Sequence, residues 1–206
     1  MRGKKGPHVK KILITITFFG ILGAGVLFIK HVIAAPARAT ERNLAAINRL
    51  TVGNTTEAEL LARKEFQTVE RKCFQDLCFY QMEAENVFLN RLHLAPVTRT
   101  LTVVRVRDGL VTEVLVFTIR AGLPAISLRQ VPKMPPGCGS SPCVQRRVLP
   151  NKVLVGIGIT FSSESGIRNH IPEAVSSECL SRLHGCNTYA ELMPITKNLN
   201  LEADSR

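Results

Sequence analysis

A chain of 206 residues that sets 27 Lys or Arg against 16 Asp or Glu carries a net charge of +11, but the excess sits at one end. Residues 1–37 hold six of the basic side chains and no acid, so residues 38–206 carry only +5, with no run of Lys and Arg interleaved with aromatics. That excludes the electrostatic footprint of a nucleic-acid-binding domain, and the length of the remainder suits one domain with a substantial core.

The chain opens on a basic tail, residues 1–11, with Arg2, Lys4, Lys5, Lys10 and Lys11. Residues 12–29 then carry no charge. As a helix rising about 1.5 Å per residue they span roughly 27 Å, close to the hydrocarbon thickness of a bilayer. The expected reading is a single-pass transmembrane signal anchor. Lys30, His31 and Arg38 make a weaker positive flank than the tail, so the N-terminus is expected in the cytoplasm and the rest of the chain outside. Two other readings compete. Ala35, Ala37 and Ala39 offer cleavage sites after Ala37 or Ala39, although the apolar run exceeds the roughly 7–15 residues of a signal-peptide core and Lys30-His31 stands between. A buried core helix would be unusual beside so basic a cluster. Gly20 and Ala24 form one small-xxx-small pair of the kind that lets membrane helices approach closely.

Residues 30–50 are expected as a juxtamembrane stalk or as the first piece of the domain, with Leu44, Ile47 and Leu50 at three-residue spacing. The extracytoplasmic domain is expected over residues 51–194, and a frayed tail over 195–206. Thr56 followed by Glu59 is a capping box that opens a helix expected from residue 57 to about residue 71, with Ala58, Leu61, Ala62 and Phe66 on one stripe. Asn54-Thr55-Thr56 also satisfies the glycosylation sequon, but at a helix cap the structural role takes precedence. Residues 78–84 read as a strand and residues 86–94 as a short helix ended by Ala95-Pro96.

The strongest hairpin signal is Asp108-Gly109 between two β-branched runs. A type I′ turn there sets Arg107 opposite Leu110 and Val106 opposite Val111. Continued unbroken, that register puts Leu101, Val103, Val114 and Val116 on one face and Val104, Val106, Val111, Leu115 and Phe117 on the other. Both faces are apolar, so such a sheet wants cover on each side. Residues 125–131 and 152–161 read as further strands, separated by the Pro- and Gly-rich loop 132–142 and a returning segment, 144–149. Gly156 and Gly158 share one face of the last strand, which suits close packing of a helix, a ligand groove being the competing reading. A polar loop at 162–169 and a short helix at about 172–183 complete the domain. The expected fold class is α+β: an N-terminal transmembrane helix, then a small antiparallel sheet packed with one long and one or two short helices and pinned by disulfides.

The six cysteines fall into three close pairs: Cys73 with Cys78, Cys138 with Cys143, Cys179 with Cys186. In an exported domain an even count reads as a disulfide framework, and joining near neighbours is the preferred pairing. Loops this short each contribute only about 2–2.5 kcal/mol, so the bridges pin turns while the core carries the fold. The competing reading is a zinc site using thiols with His170 and His184, but Cys-x-x-Cys spacing is absent. The same absence argues against a redox catalyst.

The phrase L-x-V-G-x-T-T-x-x-E-L-L, residues 50–61, resembles the helix start of the small outer-membrane assembly lipoproteins of the SmpA/OmlA or BamE type. There a short G-x-T turn opens a helix that packs on an antiparallel sheet. The lipid-bearing cysteine of that family is missing here, so the resemblance implies local shape alone. The order of anchor, capped helix, cysteine pair, hairpin and C-terminal C-L-x-x-x-x-G-C followed by L-M-P is similar to membrane-anchored envelope proteins of soil bacteria such as the acidobacteria. That resemblance implies an envelope location, the bacterial periplasm, and no particular activity.

No catalytic, metal or cofactor motif stands out. Ser162, Ser163 and Ser165 lack the flanking glycines of a nucleophile elbow, and Glu83 and Glu85 share a strand face that ends in solvent. The expected function is therefore a non-enzymatic binding or scaffold domain in the cell envelope. Its surface would be the Pro-rich cysteine loop or the second apolar sheet face, and its partner another envelope protein, wall polymer or lipid. The alternative is a membrane-tethered hydrolase with His170 as base, Ser165 as nucleophile and Glu164 or Glu173 as the supporting acid. It requires His170 within hydrogen-bond reach of a serine and a carboxylate inside a pocket.

Overall fold

The computed structural model of the chain describes residues 7–122, 124–138, 142–148, 150, 154–163, 170–182 and 184–199. It begins with α1 (Pro7–Ile33), whose apolar side chains over residues 15–29 face outward on all sides; Ile16, Phe19 and Leu27 are each more than 60 % exposed. The helical run Thr15–Asn48, with a mean hydropathy of 2.0 in its apolar window, is long and apolar enough to cross a membrane, and 0 % of that window is buried. A core helix would have the opposite burial, so that reading is set aside.

α1 passes into α2 (Ala35–Asn48) through a single turn residue, Ala34. Helical hydrogen bonding continues across it: Ala34 N–H donates to Lys30 O and Arg38 N–H to Ala34 O, both at 3.1 Å. Pro36 lies in the first turn of α2, where its missing N–H costs least. Along α2, Ala37, Thr40, Leu44 and Ile47 recur at helical spacing and are buried against the sheet. Of the two expectations for this segment, the packing agrees with the first piece of the domain and corrects the stalk for residues 35–48.

Seven strands make one sheet: β1 (Glu70–Phe74), β2 (Leu77–Glu85), β3 (Thr98–Arg107), β4 (Leu110–Arg120), β5 (Ala125–Val131), β6 (Cys143–Val148) and β7 (Leu154–Ser162), in the order β1-β2-β3-β4-β5-β7-β6. Every neighbouring pair is antiparallel except β5 and β7, which run parallel. The sheet is thus larger than expected and mixed. The parallel pair arises because the chain leaves β5, builds the outer strand β6 first, and returns with β7 between them.

The capping box is present: Glu59 N–H donates to Thr56 Oγ1 and Thr56 N–H to Glu59 Oε2. The helix it opens is short, however. α3 (Glu57–Leu61) ends where Arg63 turns extended, at φ −86° and ψ 131°, and after α4 (Lys64–Gln67) the chain enters β1. The expectation of one helix over residues 57–71 is corrected. Cys73 stands directly opposite Cys78 across a turn at Gln75-Asp76, with Gln75 at φ 56°, so residues 70–74 are held antiparallel to β2. α5 (Val87–Arg91) is the short helix expected before Ala95-Pro96.

Asp108 and Gly109, at φ 51° and 73°, form the I′ turn, with Val106 opposite Val111 as expected. The register then shifts by one: Arg105 pairs with Glu113, and Thr112 is the extra residue of a bulge. The bulge redistributes the faces. Val104, Val106, Val111, Val114 and Val116, each 1 % exposed or less, form the inner face, while Leu101, Val103, Leu115 and Phe117 lie on the other.

The inner face is covered by α2, by Leu60 and Phe66 of α3 and α4, and by the C-terminal segment. That segment is not the single helix expected over 172–183. It comprises α6 (Ile171–Ala174), an extended Val175 and a 3-10 turn, Glu178–Ser181. Then follow α7 (Tyr189–Leu192) and a second 3-10 turn, Pro194–Leu199. Ser177 donates a hydrogen bond to Glu41 Oε1 of α2 at 2.7 Å. Ile195 packs on the core and Thr196 is buried, so the tail is not frayed from residue 195; residues 200–206 lie outside the described residues.

Candidate functional site

Among the described residues the helices lie on one face of the sheet, and the opposite face is the surface that requires explanation. Cross-strand pairing arranges it in rows. Glu83, Leu101, Phe117, Ser127 and Gly158 stand in one row across β2, β3, β4, β5 and β7. Gln81, Val103, Leu115, Arg129 and Thr160 stand in the next, which ends at Cys143 of β6. Leu101, Val103, Leu115 and Phe117 therefore form an apolar square at the centre. Val103 and Leu115 are buried, at 5 % and 9 % exposed, while Leu101 and Phe117 are half-buried and Ile119, farther along β4, is 49 % exposed.

Beside the square lies a charged group. Glu113 is only 3 % exposed and its carboxylate is paired on both sides, with Arg105 from β3 and Arg129 from β5. Arg105 also lies over the Phe79 ring, 5.3 Å from its centroid. A buried carboxylate between two half-exposed guanidiniums is desolvated yet compensated, and it presents the outer edges of both cations to solvent. The signal in the sequence was the lone acid in the apolar run VTEVLVF; its role became visible only through the bulge that sets it opposite Arg105.

Gly156 and Gly158 lie on this same face and widen it into a flat shelf. A Cβ at Gly156 would meet Ala125 O at 3.4 Å, and one at Gly158 would meet Ser127 Oγ at 3.6 Å. Among the described residues no helix covers these glycines, because the helical layer meets Ile157, Ile159 and Phe161 on the other side of β7. All six cysteines pair as near neighbours, with Cα separations of 4.1 Å for Cys73–Cys78, 5.6 Å for Cys138–Cys143 and 4.7 Å for Cys179–Cys186. No thiol is left free for a zinc site. The bridge at Cys143 closes the Pro-rich loop at the end of the second row, next to the shelf.

A second polar group sits at the β1–β2 edge on the helical side. The Tyr80 hydroxyl donates to Glu57 Oε1 at 2.5 Å, and Arg71 Nη2 donates to the same oxygen at 2.6 Å. Burial, and then the Glu57 carboxylate, push the Tyr80 phenol up to about 12. These contacts tie β1 to α3.

His170 does not assemble a hydrolase centre from the described residues. Its backbone N–H donates to Gln130 Oε1 at 3.3 Å and its ring lies against Phe161, with centroids 5.7 Å apart. Among the described residues neither a serine hydroxyl nor a carboxylate hydrogen-bonds that ring; Glu164 and Ser165 lie outside the described residues. A small cleft of about 200 Å³ opens instead at the other end of the domain, between Val32 and Pro36 of the α1–α2 junction and Val87 and Phe88 of α5.

Comparison of the chain with protein-family models, curated proteins and solved structures finds no match. What the structure defines is a class: a disulfide-bridged α+β protein with an N-terminal apolar helix fit for a membrane anchor, and a mostly antiparallel sheet that helices cover on one side among the described residues.

Proposed function

We propose that the chain is an uncleaved single-pass membrane protein with its N-terminus in the cytoplasm. Its domain acts in the bacterial periplasm as a non-enzymatic binding or scaffold domain, and the uncovered sheet face contacts another envelope protein. One observation carries the reading: a continuous face of the sheet, four apolar side chains flanked by a paired Arg-Glu-Arg group and a glycine shelf, has no covering layer among the described residues. A half-covered sheet with an apolar centre and a charged rim has the anatomy of an interface. The anchor is supported by the exposed apolar helix, and the oxidising compartment by the three disulfides.

The test is photo-crosslinking in intact cells from a reactive side chain placed at Leu101 or Phe117, with exposed Val148 on the edge strand as the comparison position. The expected result is a discrete protein adduct from both face positions and none from residue 148, lost when Ile119→Asp is added. Adducts of polysaccharide, or identical patterns from all three positions, would overturn the protein-contact reading. Ester or amide hydrolysis by the purified chain that disappears in His170→Ala would replace it with the hydrolase.

A further inference from the structure

We infer that residues 87–94 make a second, interfacial contact with the lipid bilayer, beside the point where α1 leaves it. The inference rests on the anchor reading and adds to it an orientation of the domain. Ile33, Leu89 and Ala95, with Phe88 packed against them, form an apolar cluster separate from the main core. This cluster fastens α5 to the last turn of α1. The uncharged run ends at Ile29, about 6 Å along the helix axis before Ile33, so α5 sits at the depth where an anchor emerges from hydrocarbon into headgroups.

The outward side of this element has the chemistry of that depth. Val87, Leu92 and Leu94 are 42 %, 52 % and 49 % exposed, although they flank one short helix of a domain with a large core elsewhere. Arg91 and His93 are exposed among them, and Lys30 and His31 occupy the last turn of α1. Apolar side chains interleaved with cations match the boundary between acyl chains and anionic headgroups, where the bases reach outward while the apolar groups insert. The patch is also continuous with an existing lipid-facing surface, the exposed apolar wall of α1. The opposite pole of the domain, at the Asp108-Gly109 and Gln75-Asp76 turns, also exposes apolar side chains, Phe74 and Leu110, but it lies far along the strands from α5 and from α1, and its turn residues include the acids Asp76 and Asp108. No flexible linker separates anchor from domain, since helical hydrogen bonds run through Ala34, and contact at α5 therefore fixes the domain's tilt on the membrane.

The chain has no tryptophan, so a single introduced Trp reports its own depth. The full chain is reconstituted into phosphatidylcholine–phosphatidylglycerol vesicles brominated either near the headgroup end or near the methyl end of the acyl chain. Three variants are compared: Leu92→Trp, Phe19→Trp in mid-anchor, and Phe74→Trp at the distal hairpin, with Leu94→Trp as an independent second reporter for the patch. The expected result is that Trp at 92 and at 94 is quenched at least twofold, more strongly by the shallow bromines. Trp at 19 is quenched more by the deep ones and Trp at 74 by neither. Unquenched fluorescence at 92 and 94 with quenching at 19 would overturn the inference and leave the anchor standing. Unquenched fluorescence at 19 would overturn the anchor, and the interfacial contact with it.

Discussion

Replacement of Ile47 by Ala tests whether α2 belongs to the domain's core. Ile47 is 0 % exposed and packs in the main core cluster with Leu44 and Leu50. Truncation removes roughly three methylene equivalents at about 0.8 kcal/mol each, or about 2.4 kcal/mol of transfer free energy. The position lies between a rigid helix and a pleated sheet, where collapse is limited, so a residual cavity raises the total to about 3–4 kcal/mol. The assay is guanidinium unfolding of the oxidised, detergent-solubilised chain followed by far-UV circular dichroism, with exposed Asn48→Ala expected to stay within about 0.5 kcal/mol of the parent. A lower midpoint for Ile47→Ala at unchanged slope is the expected outcome. Equal midpoints for the two variants would return α2 to the role of a stalk and refute the packing described above.

Three further outcomes follow from local geometry. Thr56→Ala removes the cap of α3 and is expected to cost about 1 kcal/mol in the same unfolding assay. The Thr56 backbone N–H, and then its hydroxyl, hold the Glu59 carboxyl below its ordinary value of 4.5. The carboxylate's own contribution is present above pH 4.5 and fades as pH falls through the lowered value, so the gap between parent and variant should narrow in acid without closing, because the bond from Glu59 N–H to the hydroxyl does not titrate. In a Tyr189→Phe background the ultraviolet titration of Tyr80 should have its midpoint near 12 in the folded chain, against about 10 once denatured. The raised value means that this stabilisation is whole below pH 10 and is lost as pH climbs towards 12; a single midpoint near 10 in both states would contradict the buried Glu57 contact. Gly53, at φ +90°, faces Pro132 with room for a Cβ only 3.3 Å from the proline's own. Gly53→Ala should therefore lower stability by about 1–2 kcal/mol, measured as a shift in thermal midpoint.

Local chemistry was the legible part of the sequence. The I′ turn at Asp108-Gly109, the Thr56–Glu59 box and the cysteine pairs each depend on residues within a few positions of one another, and the structure has all three. The failures are tertiary. Residues 63–71 have helical spacing, yet the short Cys73–Cys78 bridge and a mate in β2 draw the end of that segment into the sheet. The Thr112 bulge left no mark in the pattern, because β-branched residues occupy both faces of the hairpin, so the two faces were divided wrongly beyond it. The Glu113 group followed from that error: in the unbroken register the acid faces Val104, and only the slipped register gives it Arg105. α2 was ambiguous for a different reason. Its apolar row is half alanine and threonine, which reads weakly by hydropathy but packs closely against strands.

The hydrogen bond from Ser177 to Glu41 spans 136 positions and joins the helix that follows α1 to the last part of the domain. In the proposed topology, with the N-terminus held in the cytoplasm, α2 would be the first part of the domain to follow the anchor, and the strands beneath it and the segment that flanks it would come later. Until those strands are in place Leu44 and Ile47 have nothing to pack against. Burial of α2 thus depends on parts of the chain made long after it, and the domain closes only when its two ends meet.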